Sequence, residues 1–294
     1  MKLSISNNGV YGIRTDGKLQ HLPHLAIETC ATAGFDRMEY NFCSGPAAAK
    51  PLAGDNWKDV VAGLKQTLDA NNICVPYTHD FWYLMANTKG PEDVALKDLM
   101  IRRSVEATTM LESKLMVIHT QSIFDAEGYN PEKTHIYNKV FLSEMGELAA
   151  KAGLALAIEN VFPIPGAIGH ACYPEEMAEL MQELNDPLFG ICWDFGHANM
   201  AQVDHEQALE IIAPWLRHIH VNDNKAKTDE HTIPGYGTVP WDKVMKKLKA
   251  VGYQGDLTLT VRTFAQTALP HRWVDDLRYL HSVGSDLIRM FEEA

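Results

Sequence analysis

Three short runs in this chain end in residues able to bind a metal or move a proton. They are Ile158-Glu159-Asn160, Trp193-Asp194-Phe195-Gly196-His197 and His218-Ile219-His220-Val221-Asn222-Asp223. Each follows an apolar, strand-like stretch and places a carboxylate or imidazole at its C-terminal end. Two carboxylates and an imidazole on neighbouring strands can hold a divalent ion and leave positions open for water or substrate. An open position can chelate a hydroxyl-carbonyl pair and acidify the C–H between them through an enediolate. A carboxylate beside that carbon then serves as base. Glu159, Asp194 and His220 are therefore expected to ligate one divalent ion (Mn, Mg, Co or Zn), with Glu159 doubling as the base. His197, one short turn beyond Asp194, is placed for a substrate oxygen or a second metal. His231 falls in a loop over the same end.

The elements that must position these groups follow from periodicity. Apolar runs at Leu3–Ser6, Arg37–Asn41, Ile73–His79, Leu115–His119, Leu154–Asn160, Phe189–Asp194, Leu216–Val221 and Leu257–Arg262 alternate with helix-like stretches. In one of these, Val60, Val61, Leu64 and Leu68 recur at helical spacing after Asn56, a candidate N-cap. Gly34, Gly153 and Gly252 each close a helix-like stretch, and Pro91, Pro131, Pro174 and Pro240 mark first turns. Such alternation argues for parallel βα units and a single (β/α)8 TIM barrel spanning residues 1–294. An open doubly wound sheet is the competing fold, but no glycine-rich phosphate fingerprint opens any helix.

Side chains alternate along a strand, so phase can be read directly. Leu154, Leu156 and Ile158 share the bulky face, which leaves Ala155, Ala157 and Glu159 inside. The same argument turns Gly190, Cys192 and Asp194 inward, along with His218 and His220, His119 and His79. Polar groups from five strands then converge on one end, and Glu39 is a candidate sixth. His218, one layer below His220, is expected to be a satisfied interior histidine.

Composition narrows the function classes. Lys and Arg number 26 against 38 Asp and Glu, a net charge of −12. Such a surface disfavours nucleic acid, whose nonspecific binding relies on basic side chains. Five scattered cysteines without CxxC spacing suit a reducing compartment, and no apolar run approaches the length of a membrane span. The chain reads as cytoplasmic, with a small sugar-like substrate and no membrane partner; a homo-oligomer is common for such enzymes.

The motifs Ile158-Glu159-Asn160, Asp194-Phe195-Gly196-His197, His220-Val221-Asn222-Asp223, and His231 followed by Pro234-Gly235-Tyr236-Gly237 resemble the xylose-isomerase-like TIM-barrel superfamily. That superfamily contains ketose epimerases, hydroxypyruvate isomerases, inosose dehydratases and the endonuclease IV type of apurinic endonuclease. The resemblance spans essentially the whole chain. It implies metal ligation by Glu159, Asp194 and His220 and a substrate contact by His197. It also implies that His79 and His119 line the pocket, positions that bind additional zinc in the endonuclease branch.

One position departs from the pattern. Relatives usually end the eighth strand with a glutamate that binds the metal and acts as second acid/base. Here Thr260 takes that slot, and a threonine hydroxyl is a poor ligand and no base near neutrality. The expected function is a metal-dependent isomerase or epimerase of a small keto-sugar or related hydroxy-carbonyl. A lyase or dehydratase, which can run with one base, is the alternative. A phosphodiesterase and a non-catalytic sugar-binding protein are the remaining readings. Arg262 at the rim is a candidate for an anionic substrate group. Phe81-Trp82-Tyr83 reads equally as packing or substrate wall, and the Gly/Pro-rich segment from Phe162 to Cys172 as lid or rigid loop.

Overall fold

The computed structural model describes residues 1–10, 12–15, 18–43, 51–81, 90–163, 170–262 and 269–294. Eight parallel strands close into a barrel. They are β1 (Leu3–Ser6), β2 (Arg37–Asn41), β3 (Cys74–His79), β4 (Leu115–Ile118), β5 (Ala155–Glu159), β6 (Phe189–Asp194), β7 (Leu216–Val221) and β8 (Leu257–Leu259). Each strand pairs with its neighbours in sequence, and β1 closes the ring by pairing with both β2 and β8.

The surrounding layer comprises α1 (Pro23–Ala33), α2 (Trp57–Ala70), α3 (Pro91–Met110), α4 (Pro131–Ala152), α5 (Pro174–Leu184), α6 (Phe195–Met200), α7 (His205–Ile212), α8 (Trp241–Ala250) and α9 (Trp273–Glu293). Local chemistry sets several ends. Gly34 and Gly153 adopt the left-handed conformation, and their N–H groups return to carbonyls of the last turn of α1 and α4. The Asn130 side chain accepts from Lys133 N at 2.9 Å and caps α4. Asn56 is the N-cap residue of α2 as expected, its carbonyl accepting from Val60 N, but its side chain makes no capping bond. The last strand is also shorter than the run to Arg262, ending at Leu259, although Thr260 N still donates to Val221 O.

Packing separates the two faces of the barrel as the side-chain phase requires. Leu156, Ile158, Ile191, Trp193 and Ile219 are fully buried in the large core against the helices. Val117, Ala157 and Cys192 form a separate small interior cluster. Bulk on these strands faces outward, where helices cover it, and the inward positions carry the small side chains of Ala157 and Cys192 beside Val117. A two-stranded hairpin interrupts the connection after β1 (Gly12–Thr15 with Lys18–His21), and another follows β4 (Phe124–Asp125 with Gly128–Tyr129). Both lie in βα connections, the side from which barrel sites are built. Among the described residues no helix is long and apolar enough to cross a membrane.

Candidate functional site

Strand register gathers the functional side chains at one end of the barrel, with Asp194 level with His220 and Glu159 opposite a position two residues before Asp194. Asp194 pairs with His220, His220 with Thr258, Cys192 with Glu159, and Asn41 with His79. Ligand atoms of Glu159, Asp194 and His220 all lie within 4.8 Å of one another, and all three residues are buried. His220 Nδ1 stands 2.9 Å from Glu159 Oε1 and 3.8 Å from Asp194 Oδ2. Donors held about 3 Å apart suit adjacent positions around an ion with ligand distances near 2.1 Å. The donor set therefore fits a divalent ion.

Glu159 is the hub. Its other oxygen, Oε2, lies 3.0 Å from His79 Nε2 and 3.1 Å from His119 Nε2. His197 Nδ1 sits 3.6 Å from Oε1 but is held by the Asn160 carbonyl at 2.7 Å. Burial opposes ionisation of Glu159, yet His220 and His119 beside it hold its carboxyl well below the ordinary range. Burial dominates at His119 and pushes it down to about 4, leaving a neutral imidazole. At His220 burial is outweighed by Cys192, Glu159 and Glu39, which raise it well above its ordinary value. An imidazole that holds a proton among carboxylates is one a cation can replace.

Asp194 is fixed from three directions. His197 N donates to Oδ1 at 2.8 Å, Asn222 Nδ2 donates to Oδ2 at 2.8 Å, and Asn160 braces its backbone on both sides. Asn222 also donates to Thr260 Oγ1 at 2.9 Å. Thr260 is thus engaged by Asn222. Nearer the rim, His231 Nε2 lies 3.1 Å and His197 Nε2 3.8 Å from Asp229 Oδ1. Arg262 Nη2 donates to Asp229 Oδ2 at 2.9 Å and contacts His231. Asp223 ties the loop carrying these residues to the barrel, accepting from Gly235 N, Val239 N and Trp241 Nε1.

Every residue singled out in the sequence for this site lies at this one end: His79, His119, Glu159, Asp194, His197, His220, His231, Thr260 and Arg262. Asn222 had no individual structural role in that reading, and Glu39 was only a candidate. Glu39 Oε2 accepts from His220 Nε2 at 2.7 Å and from His218 Nε2 at 3.0 Å. His218 is interior as anticipated but only half satisfied: Nε2 is bonded to Glu39, and its buried Nδ1 has no partner among the described residues. Trp82 and Tyr83, and residues 164–169 of the Gly/Pro-rich segment, lie outside the described residues.

The model of a family described as xylose isomerase-like TIM barrel matches residues 27–283. A protein of Methanocaldococcus jannaschii is 31% identical over 168 residues, a match spanning 54% of each chain, or about half that relative's length. The fructoselysine 3-epimerase of Shigella flexneri is 25% identical over 253 residues, covering 83% of this chain and 87% of that protein. The crystal structure of the IOLI protein with a bound zinc atom superposes with a TM-score of 0.73 and 17% identity, covering 98% of this chain and 99% of that one.

Proposed function

Because the chain belongs to the xylose isomerase-like TIM-barrel family, we propose that it is a divalent-metal-dependent isomerase or epimerase of a small keto-sugar or related hydroxy-carbonyl. The observation that carries this reading is the buried meeting of Glu159, Asp194 and His220 within 4.8 Å. The epimerase among its relatives and the zinc atom in the superposable structure support it. Zn, Mn, Mg and Co all remain compatible with a two-carboxylate, one-imidazole set.

When bound, the ion supplies positive charge to two adjacent substrate oxygens and acidifies the C–H between them. Glu159, at the centre of the site, is the base that takes this proton. His197, oriented through Nδ1 by the Asn160 carbonyl, presents Nε2 to a substrate oxygen. His79 and His119 hold Glu159 Oε2 and line the pocket, while His231 and Arg262 meet the rim end of the substrate. Arg262 already supplies positive charge to Asp229 and His231, so one ion per chain is the proposed stoichiometry.

A second reading, a lyase or dehydratase, is favoured by one observation. Thr260 directly follows β8 and is engaged by Asn222, so that position offers no carboxylate on the far side of the substrate. Elimination needs one base, whereas two-base epimerisation needs a proton donor on each face. The experiment is metal analysis of the purified chain, then deuterium exchange from D2O into a panel of ketoses with and without chelator. Chelator-sensitive exchange is expected, with dehydration products under the second reading. Exchange indifferent to chelator, or none with any ketose, would overturn the proposal.

A further inference from the structure

We infer that Glu39 is a positioning residue that turns the lone pair of His220 Nδ1 toward the metal centre. The inference rests on the reading of Glu159, Asp194 and His220 as that centre. Glu39 comes from β2 and His220 from β7, so the contact crosses the barrel interior rather than a neighbouring strand pair. The Glu39 residue is wholly buried, as is His218.

The geometry sets one carboxylate against each nitrogen of His220. Glu39 Oε2 lies 2.7 Å from His220 Nε2 and 3.0 Å from His218 Nε2. An ionised carboxylate only accepts, so each imidazole must present an N–H at Nε2. Nδ1 faces Glu159 Oε1 at 2.9 Å and Asp194 Oδ2 at 3.8 Å, so without an ion it donates to Glu159, and an ion held by these carboxylates would displace the Nδ1 proton while Glu39 keeps the one on Nε2. Were the Nε2 proton given up in place of the Nδ1 proton, the ring would go on donating to Glu159 and offer the ion no lone pair on that side. Metal-bound histidines generally have their second nitrogen engaged by a carboxylate or carbonyl for this reason.

The brace is itself braced. His218 supplies a second N–H to the same carboxylate oxygen, and the Tyr77 ring lies over His218 with centroids 4.0 Å apart. A buried carboxylate without donors would be costly, which ties Glu39 to both rings. Gln at this position could offer its amide N–H to His220 Nε2 and so favour the opposite tautomer.

The test reads the ring proton and the metal separately. Nitrogen-15 NMR of His220, assigned by its loss in His220→Asn, is recorded at neutral pH without metal and after loading with Zn2+. A proton on Nε2 in both states is expected, with Nδ1 giving up its own only on loading; a metal-free ring without a proton on Nε2, or a loaded ring that keeps the one on Nδ1, overturns the inference. Zn2+ affinity, measured by competition with a chromophoric chelator, is expected to fall roughly 10–100-fold in Glu39→Gln, with the ring losing the Nε2 proton and keeping the one on Nδ1. A Glu39→Gln chain that keeps wild-type affinity and tautomer and only melts earlier assigns Glu39 a purely structural role and overturns it too. If Glu39→Gln does not fold, the wild-type ring decides alone. If the wild-type chain binds no Zn2+ that Glu159→Gln weakens, the metal-centre reading fails, and the Nε2 proton of the metal-free ring still judges Glu39.

Discussion

Thr260 Oγ1 accepts a hydrogen bond from Asn222 Nδ2 at 2.9 Å. The same amide nitrogen donates to Asp194 Oδ2 at 2.8 Å, so both of its protons are used. The end of β8 therefore supports a proposed ligand indirectly, through Asn222. Replacing Thr260 by Glu would keep an acceptor for Asn222 and add a carboxylate to the donor set. Thr260→Glu is expected to tighten Zn2+ binding by about tenfold or more, ~1.4 kcal/mol, and to increase epimer formation over simple isomerisation. Competition titration and product analysis check both; unchanged affinity would show that the slot does not face the ion.

Gly196 gives the same network a steric handle. A Cβ added there would stand 1.9 Å from Asn222 Oδ1 and 2.8 Å from its Cγ, so the Asn222 side chain would have to leave. Gly196→Ala should strip Asp194 Oδ2 of its amide donor, at a cost of roughly 1–3 kcal/mol, and lower Zn2+ affinity by about 10–100-fold. Asn222→Ala should move both quantities in the same direction. Thermal melts and metal titrations of the two variants check this; wild-type affinity in both would detach Asn222 from the metal centre.

Much of this arrangement was legible because side-chain alternation is a rigid rule. Small inward residues such as Ala157 and Cys192 fix the phase of β5 and β6, and that phase carries Glu159 and Asp194 to the mouth. Glycine after a helix was equally readable at Gly34 and Gly153. The contact between Glu39 and His220 was not, because it joins residues 181 positions apart across the interior. Its only trace is a carboxylate set between Met38 and Tyr40 in the inward phase of an apolar strand. Asn222 looked like an ordinary polar residue after a strand, since its value lies in two partners on other strands. Asn56 failed in the opposite way: the residue type suited a cap, but the backbone there (φ −89°, ψ 20°) departs from the extended capping conformation and no side-chain bond forms.

Glu159 is asked to be both ligand and base, and the two roles separate experimentally. Glu159→Gln keeps the shape but loses the charge that His79, His119 and His220 surround. Deuterium exchange into substrate is expected to fall by at least ~10²–10⁴-fold, the usual contribution of a positioned base. Raising Zn2+ until the variant is saturated should not restore it. Restoration by metal alone would leave Glu159 as a ligand and place the base elsewhere.

His205 gives a pH test remote from the proposed ligands. It begins α7, is 6% exposed, packs against the Phe195 ring, and has no hydrogen-bond partner at either nitrogen among the described residues. Burial pushes it down to about 4 from an ordinary value of 6.5. Between those limits the unfolded chain binds more protons than the folded one, so stability rises with pH across this window. The contribution is fully present above about 6.5 and is lost as pH falls toward about 4, by up to about 3 kcal/mol. His205→Leu removes the titration while keeping an apolar contact with Phe195. Denaturant midpoints of wild type and variant should therefore shift in the variant's favour as the buffer is acidified from neutrality. A difference that stays flat over that range would mean the ring takes up its proton in the folded chain as readily as in the unfolded one.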